Sequence, residues 1–395
     1  MSRLDELIQK FCPNGVEFVK IKEVFPRLKG TPITAGKMKE IENSAGEIKI
    51  FAGGKTVISA KEIDIPKANI IRVPAVLVQS RGVIDVIYYD KPFTFKNEMW
   101  AYTADNPSKV KYLYYILKNN IQAFRAAASG MGSLPQISLS VTEDLHIPLP
   151  PLPIQQEIVR ILDTFTNLTA ELTAELTARR KQYEYYRDEL LTFGEGVEEL
   201  PIDEIATYRR GSFPQPYGNA EWYGGKGAMP FVQVADVEEN AMRLRPETKQ
   251  TISVQAQPKS VFVAKGTVIC SIQGTIGRVA ITQYDCYVDR TLAIFESYKK
   301  EIDKEYFAYQ IKRKFGIEKE FARGSTLKTI TKQEFSKFKI PLPSINEQRQ
   351  IVSILNQFER LCNGLSSGLP AEIVARQKQY EYYRNQLLTF KRIGG

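Results

Sequence analysis

The sequence predicts an α+β protein of two tandem units, each a mixed α/β domain followed by a long helix. Two observations support the repeat: residues 181–193 return almost unchanged at 378–390, and Ile147-Pro148-Leu149-Pro150 returns from Ile340. A third observation supports the fold class. Short apolar runs such as Ala75-Val76-Leu77-Val78 alternate with glycine-rich turns ahead of each repeat, as strands do in α+β domains.

The size and composition fit two globular domains. The chain has 395 residues, 43% of them hydrophobic and 25% charged, which is too long for one ordinary core and argues against disorder. The first residues are charged and lack the apolar core of a signal peptide, and no apolar run reaches the roughly 20 residues that span a bilayer. The four cysteines are scattered, without the paired spacing of a zinc or redox motif. We therefore expect a reduced cytoplasmic protein with no membrane segment, no metal and no cofactor.

The charge balance favours a polyanionic partner. The formal net charge is +9, and lysine and arginine side chains bind phosphate groups with release of counterions. Many basic proteins bind no nucleic acid, so the charge alone gives modest support for this class of partner.

The repeat divides the chain into four segments. The copies are offset by 193 residues at Ile147 and Ile340 and by 197 at Lys181 and Lys378, so the second copy holds four extra residues, about one helical turn. The blocks ahead of the repeats also open alike, with glycine, valine and glutamate at 15–17 and 196–198. We predict mixed domains at 1–146 and 197–339 and helical segments at 147–196 and 340–395.

The first helical segment has the pattern of a coiled-coil seam. A helix of about 40 residues spans about 60 Å, which favours a rod over a helix packed on its own domain. If the two helices pair antiparallel, a pseudo-twofold axis relates the units. The second segment holds two glycines and a proline at 363–370, where we expect a kink or short break. The apolar residues of the first segment recur at steps near 4 and 3, with one stutter: Ile154, Ile158, Ile161, Phe165, Leu168, Leu172, Leu176, Tyr183, Tyr186 and Leu190.

These features resemble the specificity subunits of type I restriction-modification systems over nearly the whole chain. The resemblance implies two target-recognition domains, each reading one half of an asymmetric, bipartite site in double-stranded DNA. It implies helices that set the gap and bind two methyltransferase (modification) subunits, with two motor-nuclease (restriction) subunits where the host supplies them. It also implies that this chain is not itself an enzyme. The segments that resemble the family are Ile147-Pro148-Leu149-Pro150, Gln155-Gln156-Glu157-Ile158-Val159, their copies from Ile340, and a Gly-Ser segment before each.

Base contacts in such domains do not follow from motifs, so we select candidate DNA contacts by their chemistry. Arginine and lysine reach guanine or phosphate, and glutamine and asparagine pair with adenine. Most exposed cations only solvate a surface, so we expect about one in three candidates to touch DNA. In the first domain the candidates are Lys29, Lys37, Lys39, Lys55, Thr56, Gln79, Ser80, Arg81, Lys96 and Asn97. In the second they are Arg209, Arg210, Ser212, Gln215, Tyr217, Trp222, Lys226, Gln233, Gln273, Thr275 and Arg278.

Two glycine-flanked clusters and one aromatic group stand out among these candidates. Gln79-Ser80-Arg81-Gly82 and the segment 273–278 each follow an apolar strand, where a turn can approach a DNA groove. An ordinary β-turn explains both clusters equally well. Tyr217, Trp222 and Tyr223 have the rings to stack on bases, but such residues more often pack in a core.

The family resemblance adds two further groups of candidates. In the family, the segments that correspond to 128–133 and 323–328 close the target domain near DNA; a loop that covers the open edge of the domain is the alternative. They contribute Met131, Ser133, Arg323, Ser325 and Lys328. The candidate partner contacts are Gln155, Gln156, Tyr185, Tyr186, Gln348, Tyr382 and Tyr383. Of the repeated tyrosines, we expect Tyr183 and Tyr380 to pair the helices.

No pattern of residues predicts catalysis. The single histidine, His146, precedes a proline run and is expected to be structural, which argues against histidine triads and histidine metal sites. Gly30 to Lys37 departs from a P-loop because five residues separate its glycines. Two alternatives stay open. A DNA-recognising nuclease would show metal-dependent cleavage by the chain alone, and a helical scaffold would bind no specific DNA.

Overall fold

The computed structural model describes residues 2–129, 134–239, 241–321, 330–363 and 368–394. The chain forms two compact units: residues 1–171 together with 374–395, and residues 172–373. Both boundaries fall inside long helices, Leu152–Leu190 and Leu369–Leu387. Each unit therefore combines a mixed α/β domain with helical segments from two places in the sequence.

The described residues contain the following helices and strands. The helices are α1 Arg3–Phe11, α2 Ile21–Val24, α3 Ala35–Ile41, α4 Pro107–Asn119, α5 Ile121–Ala126, α6 Ser140–Glu143, α7 Leu152–Leu190, α8 Ile202–Ile205, α9 Lys304–Phe321, α10 Lys332–Ser336, α11 Ile345–Asn363 and α12 Leu369–Leu387. The strands are β1 Phe18–Lys20, β2 Arg27–Leu28, β3 Ile48–Phe51, β4 Val57–Ala60, β5 Ala75–Gln79, β6 Asp85–Tyr89, β7 Phe93–Phe95, β8 Trp100–Tyr102, β9 His146–Pro148, β10 Glu199–Pro201, β11 Ala206–Arg210, β12 Met229–Val232, β13 Gln250–Ile252, β14 Val261–Val263, β15 Val268–Ser271, β16 Val279–Ile281, β17 Cys286–Val288, β18 Leu292–Tyr298 and β19 Lys339–Pro341.

The domain of the first unit has two sheets and a short ribbon. The larger sheet has the order β2-β8-β5-β6, and the smaller has the order β4-β3-β7 with β3 and β7 parallel. Strand β5 is buried along its whole length because it lies inside the larger sheet, with α4 packed against β5 and β6. The ribbon pairs β1 antiparallel with β9, so Val19 lies opposite Ile147.

The second unit repeats this arrangement with one additional strand. Its first sheet has the order β11-β18-β15-β16, and its second sheet has the four-stranded order β13-β12-β17-β14 with β12 and β17 parallel. The ribbon pairs β10 antiparallel with β19, and Leu200 lies opposite Ile340. The prediction of two tandem α+β units is confirmed, and the likeness extends into the blocks whose sequences differ.

Two glycines at equivalent positions allow a close crossing of strands in each unit. A Cβ on Gly30 would lie 2.1 Å from the carbonyl oxygen of Phe95, and one on Gly211 would lie 2.1 Å from that of Val288. In each unit the residue after the glycine donates its N–H to that same carbonyl, at 2.8 Å in the first and 3.0 Å in the second. The crossing requires glycine because any side chain would collide with backbone.

A buried tyrosine fixes the closing helix of each domain to the proline segment that follows. The hydroxyl of Tyr112 in α4 donates to the carbonyl of Pro148 at 3.1 Å, and that of Tyr306 in α9 donates to the carbonyl of Pro341 at 2.9 Å. Both rings are fully buried. A buried phenol needs such a partner, so this bond sets the angle at which each helical segment leaves its domain.

The two helical repeats differ in continuity. Helix α7 runs unbroken for 39 residues, whereas α11 ends at Asn363 and α12 begins at Leu369. Residues 364–367 of the predicted break lie outside the described residues. Gly368 before α12 has φ 89°, a backbone conformation that favours glycine.

Aromatic rings join the helices inside each unit. In the first unit Phe165 of α7 stacks on Tyr383 of α12, with ring centroids 5.5 Å apart. In the second unit Tyr186 of α7 stacks on Phe358 of α11 at 5.8 Å, and Tyr183 lies 6.2 Å from the same ring. The helices therefore pair through their repeated tyrosines, as expected for Tyr183 but with Tyr186 and Tyr383 taking part as well.

Candidate nucleic-acid interface

Each crossing glycine is preceded by an exposed cation. Lys29 precedes Gly30, Arg210 precedes Gly211, and both side chains are exposed. Arg209 is also exposed, and its guanidinium lies 3.5 Å from the carboxylate of Glu296. Structurally equivalent points of the two domains thus present positive charge that a phosphate group can reach.

A cavity of about 560 Å³ in the first unit gathers four of the candidate residues. Lys39 comes from α3, Thr56 precedes β4, Arg81 lies in the turn between β5 and β6, and Lys96 follows β7. A concave surface with apolar walls and a few converging polar groups is the usual form of a ligand site. The apolar walls are formed by Ala35, Met38, Ala52, Ile58 and Leu134.

Carboxylates reduce the positive charge of this cavity. The ammonium of Lys96 lies 3.0 Å from Glu98, and Glu42 also lines the cavity. Burial alone would raise the pKa of Glu98, but the Lys96 ammonium and the backbone N–H groups of Glu98 and Gly53 outweigh it and hold the pKa below its usual value. Among the described residues, no carboxylate forms an ion pair with Lys39 or Arg81, which leaves both charges available to a ligand.

Lys37, Lys55 and Asn97 of the first domain lie outside the cavity lining; Lys55 and Asn97 are exposed and Lys37 is half-buried. Lys55 has φ 76° and follows Gly54 at φ 70°, so a left-handed turn projects it from the surface. Asn97 is exposed beside Lys96. Lys37 forms an ion pair with Glu40 of the same helix at 2.6 Å.

Two candidates of the first domain are buried, and the prediction for them is corrected. Gln79 ends the interior strand β5 and is 2% exposed, while Ser80 is 1% exposed. The hydroxyl of Ser80 donates to the carbonyl of Glu98. Both faces of the sheet are covered at this point, so Gln79 at the end of β5 and Ser80 after it are buried although they point to opposite faces, and within this cluster only Arg81 is exposed.

An aromatic cluster lies among the candidates of the second domain. The ring of Phe213 lies 5.0 Å from Tyr217, 5.2 Å from Tyr223 and 4.4 Å from Phe231. Trp222 packs in the same cluster and is 8% exposed. The prediction of Trp222 as a DNA contact is corrected, because its ring is part of the core; this was the alternative for these residues.

Two cations that the sequence did not suggest lie on the faces of these rings. The ammonium of Lys259 lies 4.6 Å from the centre of the Trp222 ring, and the guanidinium of Arg290 lies 5.2 Å from that of Tyr217. Burial and a hydrogen bond to Asp289 raise the pKa of Tyr217, so its hydroxyl stays a donor. Lys259 lies 37 residues from Trp222 in the sequence, and Arg290 lies 73 residues from Tyr217. No local sequence pattern could therefore have linked these cations to the rings.

The remaining candidates of the second domain lie on turns. Gln215, Lys226 and Thr275 are exposed. The hydroxyl of Ser212 donates to the carbonyl of Lys259 at 3.2 Å, which ties it to the aromatic cluster. The half-buried side chains are those of Ser212, Tyr217, Gln233, Gln273 and Arg278.

Arg278 braces its own domain. Its Nη1 donates to the carbonyls of Val234 and Val237 at 3.2 and 3.1 Å, and its Nη2 lies 3.6 Å from the carboxylate of Glu239. Arg278 therefore stabilises the 234–237 segment through hydrogen bonds, a role that the sequence did not reveal. The candidates Met131, Ser133, Arg323, Ser325 and Lys328 lie outside the described residues.

The comparisons with known proteins cover most of the chain. The model of the type I restriction modification DNA specificity domain matches twice, at residues 13–179 and 194–375. The chain belongs to this family. A type I restriction enzyme specificity subunit of Escherichia coli is 34% identical over 296 residues, 72% of this chain and 72% of that protein. A putative type I specificity subunit of Haemophilus influenzae is 32% identical over 294 residues, 71% of this chain and 72% of its own length.

A solved structure shows the same fold as this specificity subunit. The type I restriction-modification S subunit from M. genitalium matches with a TM-score of 0.61 and 17% identity, over 95% of this chain and 96% of that one. Within the part of the chain that the structure describes, no helix is both long and apolar enough to cross a bilayer.

The candidate partner residues of this specificity subunit separate into buried and exposed groups. Gln155 is 2% exposed and its Nε2 donates to the carbonyl of Pro150 at 2.7 Å; Gln348 is fully buried and its Nε2 donates to that of Pro343 at 2.9 Å. The prediction of these two as partner contacts is corrected, because each amide closes the proline turn before its helix. The neighbouring Gln156 is exposed.

The four candidate tyrosines are all exposed, but to different degrees. Tyr185 is 65% exposed and Tyr382, its copy, is 59% exposed, whereas Tyr186 and Tyr383 are 39% and 40% exposed and stack on Phe358 and Phe165. Tyr185 and Tyr382 are thus large, mostly exposed rings at equivalent positions of the two helical repeats, as is typical of an interaction surface.

Proposed function

We propose that this type I specificity subunit reads a bipartite, asymmetric site in double-stranded DNA, with residues 1–146 and 197–339 as its two target-recognition domains. The observation that supports this most is that the two domains share a structural frame, meaning their first sheet, crossing glycine and buried tyrosine, but present different surfaces. The two domains share the strand order of their first sheet, a parallel pair in their second sheet and a crossing glycine, yet one presents a cavity and the other an aromatic cluster. Domains of one fold with different surfaces are suited to different half-sites.

The DNA contacts that we propose follow from exposure and charge. Lys29 and Arg210 bind backbone phosphates at equivalent points, because both are exposed cations beside a strand crossing. Lys39, Arg81 and the neighbouring Thr56 contact bases or phosphates from the cavity of the first domain. In the second domain the exposed turn residues Gln215, Lys226 and Thr275 take the same part, with Tyr217 partly accessible.

The helical segments 147–196 and 340–395 set the gap between the half-sites and bind two modification subunits. Tyr185, Tyr382 and Gln156 form the proposed docking contacts because they are exposed on these segments. If the two target-recognition domains bind the same face of the duplex, they would lie about one DNA turn, 10 bp, apart. The chain itself is non-catalytic and cytoplasmic, and restriction subunits join where the host supplies them.

Exchange of one domain tests this proposal. When residues 16–146 are replaced by the corresponding block of another specificity subunit, one half-site of the bound DNA should change while the other half-site and the gap stay the same. Competition binding with duplex libraries, in complex with the modification subunit, measures this. A target that changes in both halves, or not at all, would contradict the division of labour.

A single substitution sharpens the same test. Arg81→Ala should weaken specific binding by about 1–3 kcal/mol, roughly 5- to 150-fold, and relax the preference at one half-site only. Lys91→Ala is the control, since Lys91 is an exposed cation outside the cavity. Binding that is equally weak for all sequences would make Arg81 a phosphate contact. Binding to no specific sequence by the intact complex would favour a helical scaffold, and cleavage by the chain alone would favour a nuclease.

A further inference from the structure

The two domains differ in charge at one pair of equivalent positions. The first of these positions lies on the second strand of a hairpin, β6 in the first unit and β16 in the second. Val78 pairs with Val86 in the first hairpin, and Cys270 pairs with Val279 at the equivalent place in the second. The residues just before Val86 and Val279 are therefore equivalent, and they are Asp85 and Arg278.

The second position lies on the helix that covers each hairpin. Lys118 of α4 and Lys312 of α9 each come six residues after the tyrosine that bonds to the proline segment, Tyr112 or Tyr306. These two lysines thus occupy the same place in the two domains.

In the first unit these positions form an ion pair. The ammonium of Lys118 lies 2.6 Å from the carboxylate of Asp85. In the second unit both positions are cationic, and the hairpin from Ile272 to Ile281 contains no carboxylate. Two like charges at the place of an ion pair repel each other, and an anion between them would stabilise both.

Both cations line one cavity of about 430 Å³ in the second unit. Two further cations, Arg187 and Arg313, line it as well, and its two carboxylates are already paired. Arg187 lies 2.8 Å from Asp188, and Arg278 lies 3.6 Å from Glu239. Arg313 donates to the hydroxyl of Thr192 at 2.7 Å, a neutral partner.

Two groups in this cavity lack partners. Among the described residues, Lys312 forms no ion pair or hydrogen bond, and the buried Nε of Arg278 has no acceptor. Burial lowers the pKa of Lys312; Glu359 opposes the shift and Arg187 adds to it. Glu359 itself accepts from the hydroxyl of Tyr309 at 2.9 Å. The cavity therefore holds more donors and positive charge than the residues around it satisfy.

We propose that this cavity binds a phosphate group. Guanidinium groups and an ammonium around one space are the donor set that proteins use for phosphate. The cavity is formed in part by Thr275 and Gly277 of a turn that we place near DNA, so the phosphate belongs either to the DNA backbone or to a free phosphate compound. The first source rests on the proposed function; the second does not.

Inorganic phosphate and pyrophosphate test the cavity without DNA. Each should raise the midpoint of thermal unfolding of the full chain above that in chloride at equal ionic strength, by mass action on the folded state. Lys312→Gln should lose the part of this rise that depends on the site, while the general stabilisation by phosphate as a solute stays. Lys314→Gln is the matched control, since Lys314 is in the same helix, outside the cavity, 3.3 Å from Glu318.

The salt dependence of DNA binding distinguishes the two sources. If the phosphate is part of the backbone, Lys312→Gln in complex with the modification subunit should lower the slope of log K against log salt by about 0.9 without a change in target sequence. An unchanged slope with loss of phosphate binding assigns the cavity to a free phosphate compound. If Lys312→Gln folds poorly, Lys312→Met replaces it in both experiments, because methionine keeps the apolar part of the side chain without the charge.

Two outcomes would overturn the inference. One is equal stabilisation of wild type and Lys312→Gln by phosphate together with equal salt slopes. The other is weaker assembly of Lys312→Gln with the modification subunit while phosphate binding and slope stay the same, which would mean that a partner carboxylate fills the cavity. Failure of the wild-type complex to bind any specific DNA would contradict the proposed function and leave the phosphate titration to decide on the cavity.

Discussion

The first and second units share a frame and differ in what they present on it. In both, a buried tyrosine hydroxyl bonds to the proline segment, a glutamine amide closes the proline turn, and a glycine permits a strand crossing. The surfaces differ: the first has an apolar cavity with cations at its edge, and the second has a packed aromatic cluster with two cations on its rings. The contacts that hold the frame and the surface that each unit presents are thus formed by different residues.

The largest expected effect tests whether the frames are equal. Tyr112→Ala and Tyr306→Ala should each lower the free energy of unfolding by about 3–5 kcal/mol, because each removes a fully buried aromatic side chain. Thermal and denaturant unfolding of the chain measure this. Tyr112→Phe and Tyr306→Phe are the controls; each loses only the hydroxyl and should cost about 1 kcal/mol. Strongly unequal losses in the two units would break the comparison.

The sequence revealed the frame because its residues repeat. The proline segments, the tyrosine motif and the glutamines recur at fixed offsets, and the structure gives each pair the same contact. Glycine and proline also predict a break at 363–370, and within its described part Gly368 has φ 89°.

The site was less readable because burial depends on contacts far apart in sequence. Gln79 and Trp222 have the chemistry of DNA contacts, yet β5 lies inside a sheet and Trp222 lies under Lys259. The cavity of the first domain brings together residues 35 to 134, which no local pattern could have grouped. Charge and residue type predicted which residues are able to bind DNA, but only the fold shows which of them are accessible.

The next effect concerns the exposed tyrosines of the helical repeats. Tyr185→Ser and Tyr382→Ser should each weaken assembly with the modification subunit by about 2 kcal/mol, as expected for aromatic residues at the centre of an interface. The stability of the isolated chain should change by less than about 0.5 kcal/mol. Titration of the modification subunit, followed by analytical ultracentrifugation, measures the assembly. An effect of one substitution but not its copy would show that the two helices do not dock equivalent partners.

The crossing glycines offer a test of intermediate size. Gly30→Ala and Gly211→Ala should each destabilise the chain by about 1–3 kcal/mol, because the added Cβ meets a backbone carbonyl. Gly316→Ala in α9 is the control: nothing lies within 4 Å of its Cβ, and alanine should stabilise the helix by about 0.5–1 kcal/mol. Unfolding midpoints give both values, and equal tolerance of alanine at all three positions would show that the crossings are not tight.

The smallest expected effect compares two adjacent glutamines, one buried in the frame and one exposed on the surface. Gln155→Ala should cost about 1 kcal/mol, since it removes the donor to the carbonyl of Pro150, while Gln156→Ala should leave stability within about 0.5 kcal/mol. Gln348→Ala should cost more than Gln155→Ala, because the Oε1 of Gln348 also accepts from the N–H of Asp303 at 2.9 Å. Weaker binding of the modification subunit is expected for Gln156→Ala only; the reverse pattern would contradict the assignment of Gln155 to the frame.

The central claim is that two domains with the same frame recognise different DNA sequences. Its most direct test is to map DNA methylation by single-molecule sequencing in cells that carry this chain and its modification subunit. Methylated adenines in two different half-sites, separated by one constant gap, are the predicted result, and they would identify both specificities together. A fully assembled complex that leaves no methylated motif, or a motif with two identical half-sites, would contradict the account.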